Sequence, residues 1–297
     1  MSKNYIVVIG GAGFVGSNLI KYFLEKKNYK ILSIDNYSSG SKKNHIKNSR
    51  VIYIKNHSKN ISKCLRKYKK KINSIFHFGE FARIYQSFLK MNECIESNSV
   101  GSHAVFNFCL KNKIKLIYSA TSASLGNRGE DKNLSPYAFT KAKNLELLEN
   151  MKKWFNFKYE IIYFYNLYGP NQICKGEMST VIGIFEQCVK NKKPCSVVRP
   201  GTQSRRFTHI DDAIEVCIEA WKKNKNLHYS ITHKKSYKII EVAQLFSRKI
   251  KFLPRRPGER YASALTKMNL SNKVYRRYGK IDLKDYIKNF LKKVNNE

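Results

Sequence analysis

The segment "YIVVIGGAGFVGSNLI", residues 5 to 20, constrains the chain more than any other. A compact β-branched run reads as a buried strand, and the residues from Phe14 onward read as the first turns of a helix. Between them Gly10, Gly13 and Gly16 permit a tight turn, close backbone approach to a pyrophosphate, and close helix packing. The helix start, with Phe14 and Val15, offers free N–H groups and a positive dipole end to phosphate oxygens. Glycine-rich turns are common, so the pattern gains weight only from the strand before it and the helix after it. Asp35, 19 residues beyond Gly16, ends the next apolar run. A carboxylate there accepts hydrogen bonds from ribose hydroxyls and repels a 2′-phosphate, so the expected cofactor is NAD rather than NADP.

The same alternation continues through the first half. "KILSID" (30–35), "VIYI" (51–54), "SIFHFG" (74–79), "KLIYSA" (115–120) and "YEIIYFYN" (159–166) read as strands, and about 14–26, 58–70, 86–111 and 136–153 as helices. Strand–helix alternation predicts an α/β fold, a doubly wound parallel sheet with helices on both faces. After Gly169-Pro170 the alternation loosens. A boundary near residue 167 is expected, with 1–166 as the cofactor domain and 167–297 mainly a substrate lobe, some segments of which return to the first core.

Composition excludes several classes. Of 297 residues 42% are hydrophobic, enough for a globular interior, and no apolar run is long enough to span a membrane. The first strand starts within a few residues of Met1, which leaves no room for a signal peptide before it and implies a cytoplasmic protein. Seven scattered cysteines, without a C-x-x-C, read as reduced core residues rather than a disulfide framework or a metal site. Fifty-seven Lys and Arg against 21 Asp and Glu give +36. The surplus is spread along the whole chain, with dense spots at "KCLRKYKKK" and "YIKNFLKK", and no nucleic-acid motif accompanies it. It reads as solvated surface, and nucleic acid is not the expected partner.

"LSPYAFTK" (134–141) puts Tyr137 and Lys141 one helical turn apart, a spacing that ordinary helix surfaces also show. Together with "GGAGFVG" and "YSATSASLG" (118–126), however, it resembles the extended short-chain dehydrogenase/reductase superfamily, in its nucleotide-sugar epimerase and dehydratase branch. The resemblance covers nearly the whole chain. It implies a Rossmann-type domain with a smaller C-terminal lobe, a nucleoside-diphosphate sugar as substrate (a UDP-sugar favoured), and a homodimer paired through helices 86–111 and 136–153. By the same likeness Tyr137, Lys141 and Thr121 are catalytic, and Asn36, Ser39 and Gly40 hold the adenosine half of NAD beside Asp35. Phe78, Gly79 and Glu80 run along its pyrophosphate and nicotinamide edge, and Asn98 is a cofactor-side asparagine. Arg83, Ser122, Asn166, Arg205, Arg256, Glu259 and Ser263 are implied on the substrate. Arg206 and Glu80 depart from the family pattern, which has an acidic residue and a small residue there.

These residues give the Tyr–Lys pair a purpose. A free phenol, with pKa near 10, is a poor base at neutral pH, whereas a neighbouring ammonium and a positive nicotinamide favour the phenolate. Sugar-nucleotide dehydratases of the superfamily carry Asp-Glu after the Thr121 position, and related decarboxylases keep a Glu there. This chain has Ser122-Ala123, neither a strong acid or base. Redox at one carbon remains, and C4 epimerisation through a 4-keto intermediate is the expected reaction. Net reduction of a ketosugar and epimerisation at another carbon are the nearest alternatives, and a non-catalytic NAD- or RNA-binding module is a distant one. Ser263 resembles a gate position at which a small residue admits an N-acetyl group. Glu80 reads either as an additional acid/base or as a buried, hydrogen-bonded carboxylate.

Overall fold

The computed structural model describes residues 3–122, 132–258 and 274–296. The first part runs β1 (Tyr5–Ile9), α1 (Phe14–Lys26), β2 (Lys30–Asp35), β3 (Val51–Lys55), α2 (Ile61–Leu65) and β4 (Ile72–His77). It continues with α3 (Ile84–Leu89), α4 (Met91–Ile95), α5 (Ser102–Lys111), β5 (Lys115–Thr121), α6 (Pro136–Phe155) and β6 (Tyr159–Phe164). The second part holds β7 (Asn166–Tyr168), α7 (Val181–Lys190), β8 (Cys195–Val198), β9 (Ser204–His209), α8 (Ile210–Lys223) and β10 (His228–Thr232). It closes with β11 (Ser236–Lys238), α9 (Ile239–Phe246), β12 (Ile250–Leu253), β13 (Val274–Tyr278) and α10 (Leu283–Asn295).

Among the described residues eight strands form one parallel sheet in the order β13-β10-β6-β5-β4-β1-β2-β3. Successive side chains of a strand point to opposite faces, and both faces are buried. Val7 and Ile9 therefore join α2, α5 and α6 in one core layer, whereas Ile6 and Val8 join α1 and α8 in the other. This is the Rossmann-type doubly wound sheet. Strand order reverses between β1 and β4, and ligand crevices open at such switch points beyond the strands' C-terminal ends.

Several expected elements break where tertiary structure intervenes. The chain leaves the large sheet after Phe164 and starts β7, which pairs with β9 in a small three-stranded sheet. β8 and β12 pair with each other, and α7, α9 and α10 cover both small sheets with a separate core that includes Phe185, Phe207 and Phe246. β10, β13 and α8 return to the large sheet and its helical layer. The helix expected over 86–111 is interrupted at Lys90, which has non-helical dihedrals, and widens to a π-helical turn over Glu96–Gly101 before α5. The one expected over 58–70 is a short 3₁₀ turn followed by α2.

The outer strand β13 is clamped to α8 by charge. Arg277 donates through both Nε and Nη2 to the Glu219 carboxylate, holding that carboxyl down at about 2, first through the hydrogen bond from Arg277. A depressed carboxylate pKa contributes stability that is present above the ordinary value of 4.5 and lost as pH falls toward 2. Glu219→Gln should cost about 1–2 kcal/mol at neutral pH after allowance for solvent screening, and should flatten the pH dependence of thermal unfolding in that window. An unchanged acid limb would show that the pair contributes nothing.

Candidate active site

The turn after β1 packs against the turn after β4 with no side chain between them. Gly10 has φ of +81°, and a Cβ on it would lie 2.7 Å from the Gly79 nitrogen. A Cβ on Gly79 would in turn lie 2.8 Å from Ile9 Cγ2 and 2.9 Å from the Gly10 nitrogen. A Cβ on Gly16 would sit 2.2 Å from the Gly10 carbonyl oxygen, so α1 starts against the turn itself. The resulting cradle presents backbone, not side chains, to whatever lies above it. Asp35 closes one end: its Oδ2 accepts from Ala12 N at 2.9 Å and its Oδ1 from Tyr37 N at 2.8 Å. Burial raises its pKa, and those amide bonds oppose the rise.

A cleft of about 580 Å³ runs from this cradle past the C-terminal ends of the large sheet's strands to the small sheets. Gly10, Gly13, Phe14, Val15, Gly16, Asp35, Asn36, Ser39, Phe78 and Gly79 line it at the glycine end. Gly40 lies outside the lining; it packs on Asp35, where a Cβ would come within 2.9 Å of both carboxylate oxygens.

The middle of the cleft is walled by Thr121 and Ser122 from the end of β5, by Tyr137 and Lys141 from α6, and by Glu80. Ser135 caps α6, accepting from Ala138 N at 3.1 Å, and Pro136 stands at its first turn, as expected for a helix start. Ser87 Oγ accepts from Tyr137 N at 3.2 Å, fixing the phenol's backbone to α3. The Tyr137 hydroxyl makes no hydrogen bond among the described residues. Lys141 Nζ donates to Glu80 Oε2 and to the Ser119 carbonyl, and lies 4.6 Å from the Tyr118 ring centroid. Glu80 Oε1 accepts from Ser102 Oγ at 2.7 Å, Tyr118 OH at 2.9 Å and Asn144 Nδ2 at 3.1 Å. With its side chain 2% exposed and four donors around it, Glu80 is the buried, hydrogen-bonded carboxylate of the two readings open from sequence.

Arg83, Asn166, Arg205 and Arg256 line the far side. Asn166 donates to the Arg206 carbonyl at 2.9 Å, which ties β7 to β9. Strand alternation sends Arg205 into the cleft and Arg206 away from it, to the carbonyls of His233 and Lys234. No acidic partner is needed at Arg206, because carbonyl oxygens already take its guanidinium. Arg256 stacks 5.1 Å from the Tyr85 ring centroid, linking the loop after β12 to α3.

Asn98, expected on the cofactor side, stands behind the wall instead. It is fully buried, accepts from Phe81 N at 2.7 Å and donates to Phe81 O at 3.1 Å, so it pins the loop that carries Glu80 and Arg83. The π-helical turn is what aims it there. Glu259 and Ser263 lie outside the described residues. Sequence reasoning missed Tyr118, Ser102 and Asn144. Asn144 lies three residues beyond Lys141, on the same helix face, a detectable signal; Tyr118 and Ser102 looked like ordinary strand and helix positions.

The family model "NAD dependent epimerase/dehydratase family" matches residues 6–232. The chain belongs to that family. It is 28% identical over 235 residues to a dTDP-D-glucose 4,6-dehydratase from Dictyostelium discoideum, covering 70% of this chain but only 53% of that protein. It is 28% identical over 227 residues to an ADP-L-glycero-D-manno-heptose-6-epimerase from Brachyspira hyodysenteriae, covering 71% of this chain and 70% of that one. The fold matches a UDP-glucose 4-epimerase from Thermotoga maritima solved with UDP-glucose, with a TM-score of 0.84 and 21% identity over 98% of this chain and 99% of that one.

The glycine contact gives a direct test. Gly79→Ala should destabilise the fold by about 1–3 kcal/mol through overpacking, measured by denaturant unfolding. Unaltered stability in the variant would mean that the two turns have room to separate.

Proposed function

We propose that the chain is an NAD-dependent epimerase of a nucleoside-diphosphate sugar, inverting C4 of a UDP-hexose through a 4-keto intermediate. The observation that carries this is one continuous cleft joining a side-chain-free glycine cradle, the Tyr137–Lys141–Thr121 wall and three arginines. The cradle and Asp35 fit NAD: the strand ends leave space only for backbone, and the carboxylate stands where ribose hydroxyls would meet it. Bound NAD would supply a hydride acceptor and then the same hydride as donor.

The chain's own residues would do the rest. Tyr137 takes the proton from the sugar hydroxyl as the carbon is oxidised and returns it after the hydride re-enters on the other face. Thr121, at the tip of β5, hydrogen-bonds the reacting oxygen, and Lys141 orients the nicotinamide ribose. Arg205 and Arg256 suit the diphosphate, since guanidinium forks bind phosphate oxygens in bidentate fashion.

Elimination of water would need a further free acid and base. Among the described residues the cleft's acids are Asp35, Glu80 and Glu177. Asp35 stands at the cradle, Glu80 is locked on Lys141, and Glu177 is paired with Lys90 at 2.7 Å. That favours simple redox at one carbon over dehydration. No helix among the described residues is long and apolar enough to cross a membrane.

Incubation with UDP-glucose, UDP-galactose, UDP-GlcNAc and UDP-GalNAc, each followed by proton NMR, tests the reading. Interconversion without added reductant is expected, with Tyr137→Phe reducing the rate by about three orders of magnitude or more. Silence with all four sugars would reject it. We also propose a second copy of this chain as the partner for α3 to α6. The support is the apolar surface they expose, Leu89 at 64%, Met91 at 54% and Val100 at 51% among it. Met91→Asp with Val100→Asp should convert a dimer to a monomer in light scattering; a parent that is already monomeric would remove the idea.

A further inference from the structure

We propose that Glu80 is a positioning residue for the base: it fixes Lys141 and offsets its charge, so that Arg83 supplies the unbalanced positive field at Tyr137. This rests on the reading of Tyr137 as the base. The geometry first removes Glu80 from direct chemistry. Its two oxygens are already taken by Lys141, Ser102, Tyr118 and Asn144. Lys141 is equally enclosed, its side chain 4% exposed. An ammonium has three hydrogens. Two go to Glu80 and to the Ser119 carbonyl, and the third has only Tyr118 OH at 3.4 Å, long for a hydrogen bond. Glu80 therefore orients Lys141 so that one hydrogen remains for a ribose hydroxyl. At the phenol, the opposite charges of Lys141 and Glu80 act against one another.

Arg83 has no such counter-ion among the described residues. Nη1 donates to the Ala82 carbonyl at 2.7 Å, Nη2 donates to the Met178 carbonyl, and Nε is buried without a partner. Met178 packs in the same apolar cluster as Tyr137, and Arg83 and Tyr137 share the cleft wall. Burial lowers the Arg83 pKa, and the Tyr137 phenol acts against that shift. The guanidinium stays charged at any working pH.

Three further titratable groups packed around this site are held neutral by burial. From β5, the Tyr118 phenol is pushed well above its ordinary value by burial. From β4, His77 is pushed down to about 4 by burial while its Nε2 meets Ser102 Oγ at 2.9 Å. From α4, Cys94 is pushed up to about 11, again by burial. The charged side chains that remain along the cleft are Glu80, Lys141 and Arg83, together with Asp35 at the cradle, the Lys90-paired Glu177, Arg205 and Arg256.

Two substitutions of opposite sign test the assignment. Phenolate absorbance is titrated in the parent, Glu80→Gln and Arg83→Gln, each with and without Tyr137→Phe so that the difference reports Tyr137 alone, with and without NAD. Removing an anion favours the phenolate and removing a cation disfavours it. Glu80→Gln should move the Tyr137 ionisation down by about one pH unit, and Arg83→Gln should move it up by about one. The acid limb of kcat/KM should move with it. Glu80→Asp, which keeps the charge, should titrate as the parent does. Overturning results are a Glu80→Gln titration that stays in place while the unfolding temperature drops, or an Arg83→Gln variant with a raised KM and no shift. Should Glu80→Gln fail to fold, Arg83→Gln decides alone. Shifts of the expected sign in a protein that turns over no nucleotide sugar would sink the epimerase reading and leave this one standing.

Discussion

Everything in the cleft is placed relative to one backbone contact, that of Gly10 with Gly79. A Cβ on either residue would fall within 2.9 Å of the other turn, so the ends of β1 and β4 meet as bare chain. Their separation fixes where the sheet's switch point opens. It also fixes the loop beyond β4. Gly79 leads directly into Glu80, and the stretch that continues to Arg83 is held by two hydrogen bonds between Asn98 and Phe81. The glycine contact thus also sets the position of a buried carboxylate and a partly buried guanidinium.

The scarcity of acids, 21 against 57 basic residues, gives those that are buried a recurrent use. Glu160 accepts from the backbone amides of Lys225, Asn226 and Leu227, which closes the turn between α8 and β10. Asp212 accepts from Lys280 N and Ile281 N, joining α8 to the chain after β13. Asp35 does the same for the turns at Ala12 and Tyr37. Each of these carboxylates organises backbone, whereas Arg83, Arg205 and Arg256 line the cleft. A wall of this charge favours polyanions near it.

Much of this was legible in the sequence, for definite reasons. Strands buried on both faces read as unbroken apolar runs, so β1 to β6 were found with small errors at their ends. Glycine spacing and the Tyr137–Lys141 turn encode local geometry, which is why the glycine turn and the shared helix face of Tyr137 and Lys141 were recoverable. Long-range pairing encodes nothing local. The break at Lys90 and the π-helical turn depend on Asn98 reaching a loop 17 residues earlier, and helical periodicity continues straight through them. The outward turn of Arg206 depends on carbonyls 27 and 28 residues away. Glu80 was conspicuous as a residue type, but its meaning lay in Ser102, Tyr118 and Asn144, which look unremarkable one at a time.

A buried Glu–Lys pair is seldom the most stable filling for its volume, because desolvation of two ions can outweigh their attraction. Here the pair has three further donors on the carboxylate, which lessens that penalty and leaves a single arrangement for Lys141. An isolated lysine on α6 would be free to choose rotamers. Tied to Glu80 and the Ser119 carbonyl, it keeps its place, with an anion set directly against its charge. On the proposed reading of Tyr137 as the base, the loop that begins at Gly79 carries both the anion that faces Lys141 and a guanidinium on the same cleft wall as the phenol.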